Sequence, residues 1–202
     1  MMTVHLAKAF SNLTMPYTVV FAAFDGEERG LEGSQAFLEA LLTESSPYEG
    51  AHLVGVVDID MFGLNWPGTG APMVVVTNSQ PVQDAIEAAR LEQGIPDEGI
   101  TYGTGLVLGS SDYATFFAQG VPTGFFLSDF EHLGAPMGLP LSTPQGSYPF
   151  WHLADTMETM TLMAGDAAHL EMGFQAGVDL TAALVHFLAS TPGPVAAGTD
   201  AV

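Results

Sequence analysis

The chain has 202 residues, with 23 Asp and Glu against three basic residues (Lys8, Arg29 and Arg90), a formal charge of −20 with histidine neutral. Charged residues are only 13% of the sequence, against roughly 25% in an average domain, so the imbalance comes from missing cations rather than surplus acids. Nucleic acid is not expected as a partner and anionic membrane surfaces are disfavoured, because neutralising phosphate needs many Lys and Arg side chains. The absence of cysteine rules out disulfides, thiolate metal sites and cysteine nucleophiles.

A hydrophobic fraction of 48% is enough to bury one core, and one domain over residues 1–190 is the natural division for this length. No stretch approaches the roughly 18 uninterrupted apolar residues of a membrane span. The first ten residues lack the basic start and long apolar run of a signal peptide. Residues 3–13 place Leu6, Phe10 and Leu13 at i, i+4, i+7 and predict a short helix. Residues 18–24 (TVVFAAF) form a continuous apolar run, predicted as a strand buried on both faces. A helix follows over residues 33–42, then strands over 52–62 and 73–77. Residues 79–93 carry strong helix punctuation, with Ser79 as cap, Pro81 in the first turn and Gly94 beyond the end. Strands are predicted at 100–108 and 121–127, with a short helix at 112–119 between them. Residues 131–149 contain seven Gly or Pro residues and read as a long loop, a feature often tied to function. A final helix is predicted over 165–189, with Leu170, Phe174, Val178, Val185 and Leu188 along one face, and residues 191–202 read as a disordered tail.

Strands alternating with helices predict an α/β fold, a sheet covered on both faces. In such folds chemistry sits beyond the carboxyl ends of strands. Two predicted strands end there in acids: 18–24 runs into Asp25-Gly26-Glu27-Glu28, and the next into Asp58-Ile59-Asp60. Adjacent carboxylates at a strand-to-helix turn can divide labour, one binding a cation while its neighbour takes a proton from water. An isolated Glu-Glu pair, however, is ordinarily a solvated helix start favoured by the macrodipole.

Context favours the chemical reading. Residues 20–37 (VFAAFDGEERGLEGSQAF) closely resemble the signature of the M28 zinc aminopeptidases. Residues 57–63 (VDIDMFG) resemble that family's next strand, 110–124 (SSDYATFFAQGVPTG) its SD-x-x-x-F-x-x-x-G-x-P segment, and 150–156 (FWHLADT) its histidine-ligand motif. The resemblance spans residues 18–160 with four motifs in order. It implies a mixed, mainly parallel sheet sandwiched between helices, incomplete at its N-terminal side. It also implies two zinc ions in the complete domain, peptide substrates and a secreted or periplasmic location. By motif position, Glu27 is the general base acting on zinc-activated water. Glu28 and His152 would bind one zinc and Asp60 the other. Asp112 and Asp155 would stand behind these ligands, with Asp155 orienting His152; the alternative makes both acids helix caps, before Ala114 and Met157. Tyr148, Phe150 and Trp151 would line a side-chain pocket or simply pack. Asp58 is expected on the opposite side of the strand from Asp60 and outside the site. His5, His52, His169 and His186 are read as ordinary helix or strand residues, while His132 in the Gly/Pro loop has a better claim on the site.

The family's upstream H-x-D and D-N-type segments, which supply a histidine and the aspartate bridging the metals, are not in this sequence. Three of five expected ligands remain. The chain is therefore either a C-terminal piece of a longer protein or a short product lacking its second metal site. Strand edges near residues 18–24 would be left unpaired, and little peptidase activity is expected of the 202 residues alone. Three functions compete. A metal-dependent exopeptidase removing N-terminal residues leads, since holding a substrate carboxylate would need cations this chain lacks, with Arg29 flanked by Glu28 and Glu32. A glutaminyl cyclase is an alternative suggested by Trp151-His152. A catalytically dead binding module of peptidase descent is the third.

Overall fold

The computed structural model describes residues 2–43, 53–60, 73–95, 97, 100–102, 111–128 and 156–190. The described elements, in chain order, are α1 (Met2–Phe10), a 3₁₀ turn (Glu27–Arg29), α2 (Glu32–Leu42), β1 (Val56–Ile59), β2 (Met73–Thr77), α3 (Gln80–Glu92), β3 (Ile100–Tyr102), α4 (Tyr113–Phe117), β4 (Thr123–Ser128), α5 (Met157–Ala164) and α6 (Ala167–Ser190). The strands form one four-stranded sheet in the order β1-β4-β2-β3. β1 runs parallel to β4 and β2 parallel to β3, while β2 and β4 pair antiparallel. The sheet is thus mixed and mainly parallel.

Both faces of the sheet are covered. On one, Val75, Ile100 and Phe126 pack against Val82, Ala85, Ile86 and Ala89 of α3 and Leu180 and Leu184 of α6. On the other, Val76 and Phe125 pack against Tyr113 of α4, whose ring stacks on Phe125 at 4.3 Å between centroids. Residues paired across a ladder share a face, and successive residues alternate. Val57 pairs with Gly124 and Asp58 with Phe125, and Val57 packs into the α3/α6 side. Asp58 of β1 therefore lies on the α4 side.

Helix α3 begins where Ser79 accepts a hydrogen bond from Val82 N–H at 3.4 Å, with Pro in the first turn, as its punctuation predicts. Near its end, the buried Arg90 donates to Glu87 at 2.9 Å and to the Ile95 carbonyl at 2.7 Å, and pairs with Asp97. Glu87 in turn accepts from Tyr102 Oη at 2.7 Å, fixing the end of β3. Between β2 and β4, Asn78 donates to Val121 O and accepts from Thr123 N–H, each at 2.9 Å.

The expected strand at 18–24 is not borne out. Those residues carry no ladder among the described residues, and instead of being buried on both faces they alternate, with Val20 45% exposed. Apolar β-branched composition makes a strand only where a neighbour supplies backbone hydrogen bonds, and no described strand lies beside this one. Residues 156–190 hold two helices, α5 and α6, broken near Gly165, instead of one beginning at 165. The predicted loop at 131–149 and the tail at 191–202 fall outside the described residues. No helix among the described residues is long and apolar enough to cross a membrane.

Candidate active site

The acidic motif sits on a tight turn whose geometry dictates its glycines. Gly26 adopts φ 71°, in the left-handed region that favours glycine. Its amide donates to Asp25 Oδ1 at 2.8 Å and its carbonyl accepts from Arg29 N–H at 3.1 Å. Glu27 O receives the amides of Gly30 and Leu31, and Gly33 N–H returns to Asp25 O at 2.9 Å. A Cβ at Gly33 would lie 2.5 Å from Asp25 O and 2.7 Å from Asp25 N, so only glycine closes this loop. Leu31 also takes φ 64° without being glycine, a strained conformation of the kind found at functional turns.

Two contacts brace this turn against α4. Ser34, fully buried at the start of α2, shares a 2.9 Å hydrogen bond with Thr115 of α4. Phe24 and Phe37 meet Phe116 at centroid distances of 6.1 and 6.4 Å and each other at 5.4 Å. The segment ending in Glu27-Glu28 is thereby tied to the segment carrying Asp112.

Asp60 follows the carboxyl end of β1, its amide donating to Phe126 O at 3.1 Å. Asp58, two residues earlier, is not turned away from it. Residues two apart on a strand share a face, so the expectation of opposite sides is corrected by the alternation rule itself. Asp58 Oδ2 accepts from Tyr113 N–H at 2.8 Å and from Ser111 Oγ–H at 3.3 Å. Burial, with Asp60 and Asp112 nearby, pushes its carboxyl up to about 6 despite those two hydrogen bonds. Asp112 occupies the cap position of α4 but makes no side-chain capping bond, which removes the helix-cap alternative for it. Its Oδ1 is buried without a hydrogen-bond partner.

Glu27 shares this environment. Its carboxyl is raised by burial first, then by the negative charges of Glu28, Asp60, Asp112 and Asp58. Arg29 is spent on Glu32 at 2.9 Å on the exposed surface. Glu27 and Asp58 are thus each raised beside neighbouring carboxylates, and the orphaned Asp112 oxygen lies in the same neighbourhood, an arrangement that a bound divalent cation would relieve. Among the described residues no three His, Cys, Asp or Glu side chains converge closely enough to hold a metal. His152, Asp155, Tyr148, Phe150, Trp151 and His132 lie outside the described residues. The structure therefore brings Glu27, Glu28, Asp60 and Asp112 into one acidic neighbourhood, and adds Asp58. Its i, i+2 spacing from Asp60 was the sequence signal for it.

Comparison with known proteins identifies the family of the chain and its fold. The model of Peptidase family M28 matches residues 1–170, and the chain belongs to that family. No curated protein matches it. Among solved structures, it is similar to the aminopeptidase of Aneurinibacillus sp. strain AM-1, with TM-score 0.63 and 23% identity over 99% of this chain and 40% of that one. It is also similar to BSAP, a zinc aminopeptidase from Bacillus subtilis, with TM-score 0.64 and 21% identity over 96% of this chain and 41% of that one. The LapA aminopeptidase of Legionella pneumophila gives TM-score 0.64 and 21% identity over 95% of this chain and 45% of that one. These likenesses establish the fold, and the chain spans less than half the length of each solved chain.

Proposed function

We propose that this chain carries the general base and part of the metal site of a metal-dependent aminopeptidase, which removes N-terminal residues from peptides. The observation that carries the reading is Glu27: a carboxyl raised by its own burial and by four neighbouring carboxylates, at the end of a segment braced against α4. A carboxylate whose pKa is raised from its ordinary value is a stronger base toward a water proton. Glu28 and Asp60, with His152 from outside the described residues, would hold zinc, a metal suited to mixed oxygen and nitrogen ligands. When bound, the metal polarises the scissile carbonyl and lowers the pKa of water. Glu27 takes the proton from the attacking water and is placed to return it to the leaving amine. Asp112 stands beside the ligands. The acidic surroundings favour a substrate α-ammonium over a carboxylate, because the nearest described cation, Arg29, is paired with Glu32.

The test combines zinc calorimetry with release of free amino acid from short peptides. E28A and D60A should each weaken zinc binding markedly. E27Q should retain the parent's zinc affinity while the residual hydrolysis the parent shows above the uncatalysed rate falls about 10²–10⁴-fold. Undiminished zinc affinity in both ligand variants, or undiminished turnover in E27Q, would refute the assignment.

A further inference from the structure

We infer that Asp58 is a positioning residue that caps α4 from the neighbouring strand and thereby leaves the Asp112 carboxylate to the acidic cluster. The first amides of a helix have no partner within it, and the residue at the cap position usually satisfies one with its own side chain. In α4 that residue is Asp112, and it makes no such bond. The acceptor comes instead from β1, where Asp58 Oδ2 takes Tyr113 N–H at 2.8 Å. The same oxygen accepts from the buried Ser111 hydroxyl at 3.3 Å, on the residue before Asp112. Asp58 thus grips the backbone on one side of Asp112 and the side chain on the other. A second anchor sits below it, where the Tyr113 ring stacks on Phe125, the residue paired with Asp58 in the ladder. Freed from capping, Asp112 keeps Oδ1 buried and without a hydrogen-bond partner, oriented by bonds it does not itself make. Were Asp112 to cap its own helix, its oxygen would turn to the amides of α4 and be lost to the site.

The role in metal binding rests on the aminopeptidase reading above, whereas the capping does not, so two readouts are needed. Hydrogen exchange at the Tyr113 amide reports the cap directly. Zinc affinity of the whole chain, by calorimetry with zinc alone, reports its consequence. D58N retains an oxygen acceptor and should keep both close to the parent's values. D58A should speed Tyr113 exchange roughly fivefold, as loss of a cap does, and weaken zinc about tenfold, as misplacing a group that stands behind the ligands does. Because Asp58 acts through Asp112, D58A should add little to D112A in a double-mutant cycle, whereas independent structural damage would add in full. Unchanged Tyr113 exchange in D58A overturns the cap whatever zinc does. Full additivity of D58A and D112A overturns the coupling. A parent chain that binds no zinc sinks the metal reading, and rapid Tyr113 exchange in D58A but not D58N would still uphold the cap.

Discussion

At the scale of single residues, Gly33 shows how closely the acidic turn is specified. Any side chain there meets the Asp25 backbone at 2.5–2.7 Å, and backbone has no rotamer to retreat into. Gly33→Ala should therefore destabilise the chain by about 1–3 kcal/mol, the usual cost of overpacking, read as a lower urea midpoint with an unchanged slope. Zinc affinity should fall with it, because the turn that is pushed apart carries Glu27 and Glu28. A midpoint equal to the parent's would mean the loop closes some other way. This turn was legible in the sequence because its chemistry is local: glycines, acids and the following helix fall within a dozen residues. Asp58 is legible too, since its i, i+2 spacing from Asp60 puts both on one face of the strand. Its bond to Tyr113 spans 55 residues, and no local pattern reveals that contact. The contribution of His152 rests on motif position, since that residue lies outside the described part of the chain.

At the scale of elements, the connection between α2 and α4 carries the site, and the Ser34–Thr115 hydrogen bond is its polar centre. Ser34 is fully buried and also donates weakly to Leu31 O at 3.2 Å. S34A leaves the Thr115 hydroxyl without this bond and should cost about 1–2 kcal/mol, whereas in T115V Ser34 keeps its bond to Leu31 O and the cost should be smaller. The double variant should cost clearly less than their sum, since the two share one interaction; full additivity in chemical unfolding would show the bond to be energetically idle. Helices were the readable elements. α3 declares both ends through Ser79, Pro81 and Gly94, and the structure places it at Gln80–Glu92. Residues 18–24 were the misread element, because an apolar β-branched run states a preference for strand while the ladder depends on a neighbour. The order β1-β4-β2-β3 and the antiparallel β2–β4 pairing belong to the same class of long-range information. Alternation of strands and helices announced the α/β class but not which strands would touch.

At the scale of the whole molecule, the scarcity of cations beside the acids becomes a statement about pH. Asp58 titrates near 6 in the folded chain against 3.8 ordinarily, and Glu27 is raised in the same direction. Between those values the folded state binds more protons than the unfolded one, so stability is full at low pH and is lost as pH rises through about 6. Glu87 works in the opposite sense: burial would raise it, but hydrogen bonds from Tyr102 and Arg90 hold it below its usual range. Its window lies at lower pH, so it changes little between weakly acid and neutral solution. Mutual repulsion under a net charge of −20 adds to the Asp58 effect, as acids are neutralised on acidification. With a chelator present, the chain should be more stable at about pH 5 than at about pH 7.5, with Asp58 contributing on the order of 1 kcal/mol. D58N should flatten the difference, since its amide does not titrate. Saturating zinc should raise the midpoint most at the higher pH, where the carboxylates are ionised and available to it. A thermal midpoint that rises from pH 5 to 7.5 in chelator would contradict the sign. It would mean that the acidic cluster is relieved by water or by groups beyond the described residues, and that a cation is not what these carboxylates await.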